Sequence, residues 1–143
     1  MDLREVIDRF ARIVLPVLPA PRAARRLLDE ARERLVVYTP TFTHGDLGPA
    51  HLLCETTGLT GVIDWSEVAI ADPAIDAAWM LNGCGGRIRS ALVACWDPEA
   101  ALAQRADLIH QLGPWWEVLY GLEQGLTELV DSGIRGAIVW LPP

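Results

Sequence analysis

Residues 44–76 read HGDLGPAHLLCETTGLTGVIDWSEVAIADPAID, and the rest of the chain is read outward from them. Two short apolar runs, Leu52-Leu53-Cys54 and Gly61-Val62-Ile63, flank the polar connector Thr56-Thr57-Gly58-Leu59-Thr60. The pattern predicts a β-hairpin with Gly58 supplying the turn. A hairpin brings its outer ends together. Asp46 and His51 stand before the first run and Asp64 after the second, so this pairing would gather all three at one mouth. Two carboxylates and an imidazole suit a divalent metal and a proton acceptor.

Composition limits what surrounds this stretch. The chain has 143 residues, half of them hydrophobic, enough for one domain with a real core. Net charge is -7 and uneven: residues 1–35 hold eight Arg and six acids, residues 36–143 four Arg and thirteen acids. The second part is a poor surface for nucleic acid and would attract a cationic small molecule. Cys54, Cys84 and Cys95 form neither a zinc pattern nor a disulfide framework, which fits free thiols in a reducing cytoplasm. No apolar stretch reaches membrane length and the charged N-terminus lacks a signal-peptide pattern.

His44-Gly45-Asp46, His51 five positions after that Asp, Ile63-Asp64-Trp65, and Asp72-Pro73-Ala74-Ile75-Asp76 occur in one order and spacing. Together they resemble the catalytic core of the aminoglycoside and macrolide phosphotransferases, small-molecule kinases with a protein-kinase-like fold. The resemblance is firm over residues 44–80 and looser in the helical flanks. His51, where many members carry Asn, is most similar to the macrolide side. The resemblance implies that Asp46 accepts or orients the hydroxyl proton of the acceptor. It implies that Asp64 holds magnesium bridging the phosphates of ATP or GTP, with Trp65 in place of the Phe of the D-F-G motif. It places His51 at the second metal-facing position, through water or phosphate, because magnesium prefers oxygen ligands. His44 would pack beneath the loop, and Asp76 would tie down the loop backbone from the following helix.

All twelve basic residues are Arg, and the first glycine is Gly45. A kinase needs a strand Lys and a Gly-rich loop over the phosphates. Residues 1–143 therefore resemble one domain, the C-terminal catalytic lobe, with the N-terminal nucleotide-gripping lobe absent. The expected fold class is mainly α with a small β-hairpin. Such a lobe would expose an apolar face, to be met by a complementing lobe or by self-association. Two other readings stand beside the kinase. One is a non-catalytic remnant or half of a split kinase, favoured by the missing Lys. The other is a metal-dependent hydrolase using His44, Asp46, His51 and Asp64, a set short of ligands for two metals.

Periodicity places the helices. Leu3, Val6, Ile7, Phe10, Ile13 and Val14 predict an amphipathic helix ending before Pro16. Pro21 opens a second, to about Leu35. Val36-Val37-Tyr38 and Phe42 read as extended, limited by Pro40. Pro73 to about Leu81 follows, with Ile75, Ala78 and Trp79 inward and Asn82-Gly83-Cys84-Gly85-Gly86 as a plain turn. Further helices are expected over Arg87 to Trp96, Pro98 to Leu112, Pro114 to Gln124 and Thr127 to Ile134, then an apolar tail. Trp79, Trp115 and Trp116 read as core.

Overall fold

A computed structural model describes residues 2–35, 37–56 and 58–142. The chain divides into two compact units, Tyr38–His110 and the pair of segments Asp2–Val37 with Gln111–Pro143.

The two-segment unit is helical. Helix α1 (Leu3–Arg9) starts where the Asp2 side chain accepts from Arg4 N at 2.9 Å. It runs through a π-helical turn (Phe10–Val14) into a 3₁₀ turn holding Pro16, so the apolar stripe ends near its expected limit. Helix α2 (Pro21–Arg34) has Pro at its first position and buries Ala24, Leu27, Leu28 and Ala31, one face of a 3.6-residue period. Helix α6 (Gly113–Gln124) contributes Trp115, fully buried, with its ring 5.6 Å from that of Phe10. Trp116 meets the same Phe10 ring edge-on at 4.8 Å.

Helix α7 (Thr127–Val139) outruns its expected end at Ile134. Glycines 133 and 136, read alone, weaken a helix. Here they are its contact face. A Cβ on Gly133 would lie 2.7 Å from Val118 Cγ2 and 2.8 Å from the Pro114 oxygen. One on Gly136 would lie 3.0 Å from the Pro114 ring. Close approach to α6 therefore carries the helix on through buried Ala137 to Val139.

The other unit has two small antiparallel sheets. Strand β1 (Thr41–Thr43) pairs with β4 (Ala69–Ala71) in the register Thr41↔Ala71, Phe42↔Ile70, Thr43↔Ala69. Strand β2 (Leu52–Glu55) pairs with β3 (Gly58–Val62) as the expected hairpin. Its register shifts between Leu53 and Cys54, where Thr60 is the extra residue and its hydroxyl donates to Leu53 O at 3.1 Å. Helix α3 (Ala74–Ala78) continues as a π-helical turn, Trp79–Gly83, before α4 (Gly86–Cys95) and α5 (Ala100–Gln111). Ala71, Ala74, Ile75, Ala77, Ala78, Leu81, Ala106, Leu108 and Ile109 are buried here.

Three local expectations change. Trp79 is 37% exposed rather than core, because the π turn rotates it outward, edge-on to the His110 ring at 5.0 Å. Val37 and Tyr38 are not in a strand; β1 begins past Pro40, and Val36 lies outside the described residues, as does Thr57 of the connector. Helix α5 opens two residues after Pro98, with Glu99 O accepting from Ala103 N at 3.0 Å.

The α6–α7 contact gives a stability test. Alanine in place of a helical glycine gains roughly 1 kcal/mol of propensity, whereas overpacking against backbone costs about 1–3 kcal/mol. At Gly133 the obstacles include Val118 N and Pro114 O, so overpacking wins and Gly133→Ala lowers the denaturation midpoint. Gly85→Ala, where a Cβ meets nothing within 4 Å, stays within about 0.5 kcal/mol of the parent.

Candidate active site

The site is assembled from the backbone outward. Strand β1 ends at Thr43, whose buried hydroxyl donates to Ala69 O at 3.1 Å and locks the β1–β4 register. The chain then turns through His44 and Gly45. Gly45 has φ of 90°, and a Cβ there would sit 2.3 Å from Glu67 O, so no other residue fits. The two amides exposed by this turn point at one carboxylate. Asp76 Oδ2 accepts from His44 N at 2.7 Å and Asp76 Oδ1 from Gly45 N at 2.9 Å. Each such charge-assisted bond is worth about 1.5–3 kcal/mol.

His44 is 3% exposed and both its ring nitrogens are engaged. Nδ1 accepts from Asp46 N at 3.3 Å, which leaves Nε2 to donate to Ile63 O at 2.9 Å. This ring thus spans from the loop carrying Asp46 to the residue before Asp64. Its face lies 4.6 Å from the Trp65 ring, and Trp65 Nε1 donates to Val62 O at 2.9 Å.

His51 occupies the hairpin mouth. Its Nδ1 donates to Asp46 O at 2.7 Å, and its backbone oxygen accepts from Ile63 N at 3.0 Å. The ring then stands between two carboxylates, with Nδ1 3.8 Å from Asp46 Oδ2 and Nε2 3.9 Å from Asp64 Oδ2. Both carboxylates are more than half exposed. Asp64 has φ of 63° and ψ of 61°, a left-handed conformation that Asp tolerates and that turns its side chain back toward the mouth. Its Oδ1 accepts from Ser66 Oγ at 2.8 Å. That bond holds the Asp64 carboxyl below the ordinary carboxylate value, against slight desolvation and with help from the nearby His51.

Asp46, His51 and Asp64 are therefore brought together, and His44 and Asp76 lie behind them. Sequence reading passed over two contributors. Ser66 carried a local signal, a hydroxyl two residues after an Asp. Arg105 carried none. It reaches across 33 positions to Asp72, whose side chain also caps the start of α3 at Ala74 N, in a buried two-pronged pair of 2.7 and 3.0 Å.

Among the described residues no three His, Cys, Asp or Glu side chains gather closely enough to hold a metal alone. The residues at the mouth suit a shared one. Asp64 Oδ1 is steadied by Ser66 while Oδ2 faces the mouth. His51 presents Nε2 because Nδ1 is committed to Asp46 O, the usual orientation of a ligating His. Magnesium commonly takes one or two protein ligands and completes its shell with water and phosphate oxygens.

This mainly helical architecture, with its small antiparallel sheets, is the C-terminal lobe of a kinase-like phosphotransferase fold. The chain belongs to the phosphotransferase enzyme family, whose profile matches residues 2–122. It is 32% identical over 121 residues to viomycin phosphotransferase of Streptomyces vinaceus, covering 80% of this chain and 41% of that protein. Among solved structures it is similar to the GDP complex of aminoglycoside 2'-phosphotransferase-IIIa, with a TM-score of 0.77 at 25% identity, covering 98% of this chain and 52% of that one. It also shares its fold with the macrolide 2'-phosphotransferase MphH of Brachybacterium faecium, with a TM-score of 0.67 at 24% identity over 91% of this chain and 46% of that one. The chain thus spans about half the length of the relatives it matches. Among the described residues no helix is long and apolar enough to cross a membrane.

The Asp64–Ser66 bond is open to measurement. Ser66→Ala removes the largest cause of the lowered carboxyl value, so the Asp64 titration followed by carboxyl carbon NMR moves upward toward the ordinary range. An unchanged titration would assign the shift to His51 and the residue-66 backbone amide instead.

Proposed function

We propose that this chain is the catalytic half of a small-molecule kinase transferring the terminal phosphoryl group of ATP or GTP to a hydroxyl of an aminoglycoside- or macrolide-like acceptor. The observation that carries the reading is the convergence of Asp46, His51 and Asp64 at one mouth in a chain of this family. In this reaction positioning and charge neutralisation supply nearly all of the catalysis. Asp46 is exposed, held at its backbone nitrogen by His44 and at its carbonyl by His51, and takes or orients the acceptor's proton. Asp64 and His51 would hold magnesium, which when bound supplies charge neutralisation at the phosphates. His44 and Asp76 keep the loop in place. The acidic balance after residue 36 supports a cationic acceptor. The reading places the chain in the cytoplasm, where nucleotide is supplied.

The nucleotide grip is proposed to come from residues outside these 143, in a second lobe. The reading rests on a chain without Lys, without glycine before Gly45, and half as long as its relatives. A second reading, a lobe that keeps its fold without the reaction, is separated from the first by the assay below. Exposed Leu53, Leu59, Phe42 and Ile70 on the two small sheets suit either a complementing lobe or self-association.

The deciding assay is nucleotide consumption with a panel of aminoglycosides and macrolides, with and without a complementing N-terminal lobe. The unaided chain is expected to be silent and the complemented one active. Asp46→Asn then lowers turnover by about 10²–10⁴-fold, Asp64→Asn abolishes it, and His51→Asn retains most of it. Full turnover in Asp46→Asn would remove the assignment of the proton acceptor. Silence of the complemented parent would favour the remnant.

A further inference from the structure

We infer that Arg105, acting through Asp72, is a positioning residue for the loop that carries Asp46; the inference rests on the kinase reading for its consequence in catalysis. Asp72 stands where two supports of that loop meet. On one side it follows β4, whose Ala69 pairs with Thr43, the residue before His44. On the other it begins α3, whose Asp76 receives the His44 and Gly45 amides.

Its carboxylate is fully buried and saturated. Oδ1 accepts from Ala74 N at 3.0 Å and from Arg105 Nη2 at 3.0 Å, and Oδ2 accepts from Arg105 Nε at 2.7 Å. The Asp72 carbonyl accepts from Ile75 N at 3.0 Å. Helix α3 (five residues) with its five-residue π turn is still a short helical run, too short to hold its own geometry. Its direction must be set from outside. The guanidinium of Arg105, projecting from the twelve-residue α5, sets it with two fixed bonds rather than one. A point charge on a flexible stem cannot reproduce that fork. The path is therefore continuous: Arg105 fixes Asp72, Asp72 fixes the start of α3, and α3 aims Asp76 at the two amides.

The experiment measures amide hydrogen exchange in the parent, Arg105→Lys, Asp76→Asn and the double variant. Val118 and Leu119 on α6, in the other unit, report whether loosening spreads beyond the unit that holds the loop. The expected result for Arg105→Lys is faster exchange of the His44 and Gly45 amides by roughly tenfold or more, with Val118 and Leu119 unchanged. The double variant should exchange at these amides no faster than Asp76→Asn alone, since both act on one path. In the complemented transfer assay Arg105→Lys should lower kcat while leaving the nucleotide KM in place. Should Arg105→Lys fail to fold, Asp72→Asn carries the same comparison, since it keeps an oxygen for Ala74 N and loses the charged fork. Unchanged His44 and Gly45 amides, or equal loosening at Val118 and Leu119, would overturn the inference. If the complemented parent shows no transfer, the kinase reading fails while the exchange result still decides the coupling.

Discussion

One carboxylate holds the loop from which everything at the mouth is hung. Asp76 receives two successive backbone amides, His44 N and Gly45 N, at 2.7 and 2.9 Å. Successive amides can point the same way only if the backbone turns sharply, and Gly45 at φ of 90° makes that turn. A side chain there would strike Glu67 O. The glycine and the aspartate are thus one device: the first lets the amides converge, and the second rewards the convergence. With the turn fixed, His44 Nδ1 meets Asp46 N and its Nε2 meets Ile63 O, so two loops far apart in sequence are clamped by one ring.

The electrostatics of the mouth follow from that clamp. Asp46 and Asp64 both face the His51 ring at ion-pair distance, and both are open to solvent. Two carboxylates gathered this way repel one another unless a positive charge stands nearby. Ser66 eases the strain on Asp64 by donating to Oδ1. In the proposed reaction a cation shared with the phosphates would do the rest, and Asp46 would stay clear of it to meet the acceptor.

How much of this was legible in the sequence depends on distance along the chain. The hairpin was readable because two apolar runs and a glycine lie within twelve residues, though the Thr60 bulge was not, since nothing in a one-dimensional pattern marks an extra residue. The gathering of Asp46, His51 and Asp64 follows from hairpin geometry. The last helix was placed through Gly133 but stopped at Ile134, because nothing in the sequence shows that Gly133 and Gly136 are a contact face against Pro114 and Val118 that carries it on to Val139. Trp79 misled because helical spacing assumes 3.6 residues per turn and the chain there takes a π turn. Arg105 was invisible, one arginine among twelve, defined by a partner 33 residues away.

The division between buried and exposed groups is itself informative. The groups that hold, His44 and Asp72, are buried, while the groups proposed to react, Asp46 and Asp64, are exposed. Burying the Asp72–Arg105 pair costs desolvation that its attraction only about offsets, so net stability is a weak reason for it. Apolar residues of the same volume would fill the space equally well. They would not fix a direction. A charged fork with an amide already on one of its oxygens tolerates little rotation, and the start of α3 inherits that restriction. A loop whose proposed task is to place an oxygen beside a hydroxyl depends on direction more than on total stability. That is where the buried polar groups of this unit are concentrated.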